Sequence, residues 1–138
     1  DPVTSYFDSV RENGEDYLLS SRDIRGYMEL YASSPADLHR PYFAPLLESD
    51  LSRQPRTLVV TAEYCPLRDE GEVYAQRLAD DGGDVQCYRM LDAVHGYLLY
   101  PSVLSLVKDT YRIIKHFLDG DDLTQEGEPA WLGILGTD

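Results

Sequence analysis

The side chains best suited to chemistry lie in two short segments, 63–70 and 92–97. The first reads EYCPLRDE and contains Cys65, and the second reads DAVHGY and contains His95. A thiol beside an imidazole can be a nucleophile with its general base, whereas a carboxylate beside an imidazole orients that base. The sequence therefore offers a thiol–imidazole or an acid–imidazole pair, provided that the fold brings the two segments together.

A strand–helix–strand unit is predicted to position both segments. Residues 56–62 are a short β-branched apolar run, 69–80 carry apolar residues at helical spacing, and 84–90 alternate as a second strand. A unit of this length predicts parallel strands joined by a crossover helix. Both segments then lie at the carboxyl edge of the sheet, where α/β proteins gather their ligands.

Helices and loops in the rest of the chain are predicted from helix-capping residues, prolines and glycines. Helices are predicted over 21–32, where Asp23 is placed for a capping box, and from Pro101–Ser102 to about 118. Residues 1–19 are predicted to be mostly loop, and the four prolines within 33–55 leave room only for short turns. The stretch after 118 is acidic and Gly-rich, although its Trp131-Leu132 and Ile134-Leu135 pairs could dock on the fold.

Composition narrows the classes of function. The chain has 138 residues, 43% of them hydrophobic, and 25 Asp and Glu against 12 Lys and Arg, for a formal net charge of -13. One domain is expected, and this charge disfavours nucleic acid and anionic membrane surfaces as partners. No apolar run suggests a membrane span, and two cysteines form neither a disulfide framework nor a metal motif. We therefore expect a cytoplasmic protein with no metal or cofactor.

The number of predicted elements is small for an α/β fold. Two strands and three helices leave the faces of a parallel sheet poorly covered. We therefore expect the chain to associate with a partner or with itself.

The run TAEYCPLRDEGEVYAQRL and the later AVHGY resemble the C-terminal part of hormone-sensitive-lipase-like carboxylesterases, which have the α/β-hydrolase fold. The likeness extends from about Pro2 to Leu118. It implies that the two strands are the seventh and eighth of eight and that 84–90 is the sheet edge, used for pairing. It also implies three regions: a cap-contributing segment and helix over 1–35, the C-terminal part of the hydrolase core over 36–118, and an acidic tail over 119–138.

The resemblance implies serine-dependent hydrolysis of small esters, with His95 as the general base. The residue at the position of the family's acid is Cys65 rather than Asp. Loss of that carboxylate can cost about 10⁴ in turnover in a serine protease triad. Cys65 as nucleophile is disfavoured, because the family places its nucleophile after the fifth strand. His39 and His116 have no comparable support.

Four acids are candidates to replace the missing carboxylate: Asp69, Glu70, Asp92 and Asp8. Asp69 is the first alternative, although Asp69 and Glu70 are also favourable charges in the first turn of a helix. For Asp92, a solvated loop acid is a better interpretation than a catalytic one. Asp8 is a candidate because some α/β-hydrolases carry their catalytic acid after the sixth strand.

The sequence contains neither a G-x-S-x-G nucleophile elbow nor an HGG run for an oxyanion hole. The resemblance therefore implies that this chain alone is not a complete esterase, and that the family's N-terminal half is another chain, a cleaved partner, or absent. The alternative is a noncatalytic interaction or regulatory fragment of a decayed hydrolase.

Overall fold

The computed structural model describes residues 6–100, 103–120, 123 and 130–137. Strand β1 (Thr57–Tyr64), helix α3 (Arg68–Asp80) and strand β2 (Val85–Val94) form the central unit. The strands are parallel, with pairs running from Thr57 and Val85 to Ala62 and Met90. The predicted pair of parallel strands joined by a helix is confirmed.

The side chains of β2 alternate between two buried clusters. Val85 and Cys87 pack with Leu78 of α3, whereas Tyr88 and Met90 pack with Ile113 of helix α4 (Leu104–Asp119). Successive residues of a strand point to opposite faces, so this alternation covers the sheet with α3 on one side and α4 on the other.

Helix α3 is fixed closely to the sheet. A Cβ atom at Gly71 would lie 3.1 Å from Thr61 Cγ2, so a side chain there would press on β1. Beneath the helix, Glu72 accepts hydrogen bonds from Thr61 Oγ1 at 2.9 Å and Arg89 Nε at 2.8 Å, which ties α3 to both strands.

Strand β2 is longer than predicted and contains a bulge. Ala62 pairs with Met90 but Tyr64 pairs with Val94, so residues 91–93 lie opposite the single residue Glu63. Asp92, within the bulge, has a φ of 56°. The predicted strand ended at residue 90, whereas residues 91–94 also belong to β2.

A third strand, β3 (Trp131–Leu135), pairs antiparallel with β2. The expectation that 84–90 forms the sheet edge is wrong, because β3 occupies the outer side of that strand. Trp131 is 8% exposed and joins the cluster of Tyr88 and Met90, so burial of the indole explains why the tail docks here. Among the described residues, β1 pairs only with β2 and is open on its other side.

Two further helices precede β1. Helix α2 (Ser21–Tyr31) is capped by Ser20, whose side chain forms the predicted capping box with Asp23. Helix α1 (Asp8–Asn13) lies in a segment predicted to be loop, so that prediction is wrong there.

The Pro-rich connector contains only short 3-10 turns, Pro35–His39 and Pro45–Leu47, as predicted. Helix α4 ends near the predicted position, while Pro101 and Ser102 lie outside the described residues. Within the described part of the chain, no helix combines the length and apolarity needed to cross a bilayer.

Candidate active site

Cys65 and His95 meet beyond the carboxyl ends of the two parallel strands. Cys65 Sγ lies 3.3 Å from His95 Nδ1, within hydrogen-bonding distance for sulfur. Cys65 is 5% exposed, whereas His95 is exposed. Gly96 follows His95 with a φ of 71°, so the chain turns immediately after the histidine. The fold therefore brings together the two segments that the sequence singled out.

The environment of Cys65 keeps its thiol neutral. Burial raises the pKa of Cys65, and this effect outweighs the hydrogen bond from the Leu67 N–H and the charge of Arg68. The Leu67 N–H donates to Sγ at 3.4 Å. A neutral thiol keeps its proton and can donate it to Nδ1, which a carboxylate cannot do. Both Cys65 and Cys87 are free and buried.

The loop that carries Cys65 is held by side chains from α1 and α3. Asn13 Nδ2 donates to the carbonyls of Glu63 and Cys65 at 3.3 and 3.5 Å, and Arg68 Nη1 donates to the Glu63 carbonyl at 3.1 Å. Ser9 Oγ donates to the Pro66 carbonyl at 2.9 Å. These contacts explain why residues 8–13 fold as a helix despite their weak local pattern.

Asp69, the first alternative acid, binds α1 and its own neighbour. Its Oδ2 accepts the Ser9 N–H at 2.8 Å, and its Oδ1 accepts Arg68 Nε at 2.8 Å. Burial alone would raise the pKa of Asp69, but Arg68 and Ser9 together hold it below its usual value. Both carboxylate oxygens are thus engaged, Oδ2 with the backbone of α1 and Oδ1 with Arg68 of α3.

The other three acids occupy different surroundings. Asp8 is exposed and pairs with Arg11 at 3.0 Å. The side chain of Asp92 is exposed at the bulge. Glu70 lines a pocket together with His95, and burial raises the pKa of Glu70.

That pocket has a volume of about 530 Å³ and is mostly apolar. Helix α2, the connector and α3 contribute most of its wall, with Ile24, Tyr27, Met28, Tyr31, Phe43, Leu67 and Tyr74. His95 reaches the same space, so an apolar group bound there would lie beside the imidazole.

Sequence reasoning missed the supporting residues Asn13 and Glu63. Asn13 carried only a turn signal, and its role depends on contacts 50 or more residues away. Glu63 was visible in the segment beside Cys65, but the bulge opposite it has no local signature. Among the described residues, no group of three or more His, Cys, Asp or Glu side chains could hold a metal ion.

Comparisons with known proteins agree with this architecture. A family model for the alpha/beta hydrolase fold matches residues 2–99. The chain is 45% identical over 74 residues to an arylesterase from Saccharolobus solfataricus, covering 54% of this chain and 24% of the relative. It is 34% identical over 96 residues to an ethyl acetate hydrolase from Pseudomonas putida, covering 70% of this chain and 30% of the relative.

Among solved structures, an esterase from Pyrobaculum calidifontis matches with a TM-score of 0.71 and 33% sequence identity. The match covers 79% of this chain and 36% of that one. The chain thus spans about a quarter to a third of the length of these proteins.

Proposed function

Because this chain belongs to the α/β-hydrolase family of hormone-sensitive-lipase-like carboxylesterases, we propose that it is the C-terminal part of a serine esterase and supplies the catalytic histidine. The observation that carries the proposal is the 3.3 Å contact between His95 Nδ1 and the residue at the family's acid position, Cys65. The exposed imidazole also borders an apolar pocket.

In the proposed reaction, Nε2 of His95 takes the proton of a serine hydroxyl as the serine attacks the ester carbonyl. The imidazolium then protonates the leaving alcohol, and water releases the acyl group by the same route. The serine and the oxyanion donors come from the N-terminal half, since the sequence given contains no G-x-S-x-G or HGG run.

In the proposed mechanism, a cysteine at position 65 makes His95 a less effective general base. Nε2 can accept a proton only when the ring hydrogen is on Nδ1, and a carboxylate enforces that tautomer because it can only accept. A neutral thiol accepts weakly from Nδ1–H, or donates to a bare Nδ1 and thereby leaves the hydrogen on Nε2. We therefore propose an esterase that is slower than one with aspartate at this position, by up to about 10⁴.

The substrates we propose are small esters. A pocket of about 530 Å³ with aromatic and aliphatic walls suits a compact apolar acyl or alcohol group. The names of the relatives, an arylesterase and an ethyl acetate hydrolase, support the same class.

We propose that the N-terminal half, or failing that a second copy of the chain, covers the open side of β1. An unpaired strand edge presents backbone N–H and C=O groups that can bind a further strand. Exposed apolar side chains of α2 and of the turn after His95 would be buried by the same partner. These side chains are Tyr27, Leu30, Tyr31, Leu98 and Leu99. The cytoplasmic location expected from the sequence remains a prediction.

The alternative, a noncatalytic fragment of a decayed hydrolase, is favoured by one observation: residue 65 is a cysteine, where the family motif has its aspartate. Activity of the completed protein distinguishes the two functions.

The test joins this chain to the N-terminal part of the Pyrobaculum calidifontis esterase, which is similar in structure, and measures hydrolysis of p-nitrophenyl butyrate. We expect saturable turnover that His95→Ala abolishes and His39→Ala, at an exposed histidine of the connector, leaves unchanged. A folded, inactive chimera would support the decayed fragment instead. Turnover by the 138-residue chain alone, with inactivation by a serine-directed organophosphate, would contradict the need for a second half.

A further inference from the structure

The bulge in β2 ends at Ala93, two residues before His95. Three residues, 91–93, lie opposite Glu63, and the left-handed Asp92 at their centre has no paired residue in the described β1–β2 register. Bulges beside active sites commonly redirect a side chain that follows them. The bulge therefore lies directly upstream of the histidine whose side chain it would orient.

Glu63 supplies the bond that the bulge removes from the ladder. Its Oε2 accepts the Asp92 N–H at 2.8 Å. The same residue is secured on the other side, because its backbone carbonyl accepts from Arg68 Nη1 at 3.1 Å and Asn13 Nδ2 at 3.3 Å. Glu63 thus connects the end of β1, two residues before Cys65, to the bulge of β2, three residues before His95.

We propose that Glu63 is a positioning residue, which holds the bulge and so sets the contact between His95 and Cys65. Glu63 acts through the backbone of Asp92 and is not itself catalytic. The catalytic consequence rests on the proposed function, whereas the structural consequence does not.

The test uses three substitutions in the 138-residue chain. Glu63→Ala removes the acceptor, Glu63→Asp keeps the charge but shortens the reach, and Glu63→Gln keeps an acceptor oxygen at the same reach. Glu29→Ala, at an exposed glutamate on α2, is the matched control. Two readouts report the site: the imidazole ¹⁵N shifts of His95, and the rate at which a thiol reagent modifies Cys65, with buried Cys87 as an internal reference.

We expect Glu63→Ala and Glu63→Asp to shift the His95 resonances and to speed Cys65 modification about three- to tenfold, as for loss of one hydrogen bond. Glu63→Gln and Glu29→Ala should match the wild type. Unchanged His95 signals and modification rate in Glu63→Ala would overturn the proposal, and so would a Glu63→Gln variant as perturbed as Glu63→Ala. If Glu63→Ala does not fold, the comparison of Glu63→Asp with Glu63→Gln decides in the same way.

These readouts separate this proposal from the proposed function, since neither requires ester turnover. In an active chimera, Glu63→Ala should lower kcat with little change in KM, and Glu63→Gln should restore it. An inactive chimera whose His95 still responds to Glu63 would refute the esterase and leave the positioning role standing.

Discussion

At the scale of single residues, the chemistry depends on which partner holds the proton between Cys65 and His95. The 3.3 Å separation allows Sγ either to accept from Nδ1–H or to donate to a bare Nδ1. Burial raises the pKa of Cys65, which favours the thiol form and makes donation available. In the proposed mechanism, Sγ of Cys65 therefore controls which ring nitrogen of His95 carries the hydrogen.

Replacing Cys65 with aspartate should raise the esterase activity of the chimera. The carboxylate would accept from Nδ1–H and stabilise the imidazolium, recovering part of the factor of about 10⁴ that such a group can contribute. The measurement is kcat/KM for p-nitrophenyl butyrate in Cys65→Asp, with Cys65→Ser as the neutral control. An unchanged rate would mean that another acid already serves His95, and Asp69→Asn and Asp92→Asn would identify it. Complete loss of activity without loss of folding would make the thiol itself essential.

Cys87 should make the folded chain less stable in alkali. Burial, followed by the charge of Glu72, raises the pKa of Cys87 to about 12. An unfolded thiol loses its proton above about pH 8.5, so the unfolded state then binds fewer protons than the folded state. The stabilisation of the folded state by the protonated Cys87 thiol is fully present below about pH 8.5. It is lost as pH rises toward 12, and the free energy of unfolding then falls by up to about 1.4 kcal/mol per pH unit.

Urea unfolding of wild type and Cys87→Ala at pH 8, 9 and 10 would measure this effect. The variant should be less stable at pH 8 because of the cavity, but its stability should fall less steeply with pH. Parallel pH dependences of the two proteins would contradict the assignment.

At the scale of secondary-structure elements, β3 converts β2 from an edge strand into a central one. The indole of Trp131 is buried, and the Leu91 N–H donates to the Ala130 carbonyl at 2.9 Å, which extends the pairing toward the bulge. Trp131→Ala should lower the free energy of unfolding by about 3–5 kcal/mol, the usual cost of truncating a buried tryptophan.

The matched control is Leu132→Ala, since the neighbouring Leu132 is 50% exposed on the same strand. Its effect should be within about 1 kcal/mol, because only part of its side chain leaves water. Urea unfolding monitored by circular dichroism measures both variants. Equal losses would show that β3 does not dock through the indole.

At the scale of the whole molecule, the open side of β1 and the exposed side chains of α2 should drive association. The isolated chain should form dimers or larger species at micromolar concentration, through the free edge and the uncovered apolar surface. Light scattering over a concentration series measures the mass, and the chimera with the N-terminal half should be free of this association. A chain that stays monomeric at micromolar concentration would contradict it.

The sequence by itself determined the central unit and the proximity of Cys65 to His95. The parallel strands, α2, α3 and the pairing of segment 63–70 with segment 92–97 were predictable, because apolar periodicity, caps and breakers act over a few residues. The motif alone likewise led to the proposal that Cys65 stands at the family's acid position.

Only the tertiary structure decided which contacts complete that unit. Helix α1 forms because Ser9 and Asn13 bind carbonyls that lie 50 or more residues further along the chain. Strand β3 forms because Trp131 packs into the core beside β2. The bulge, with Glu63 facing Asp92, also depends on the register between two strands. Such pairings join residues far apart in the chain, so they stabilise these elements only in the folded state. No local sequence pattern predicts them.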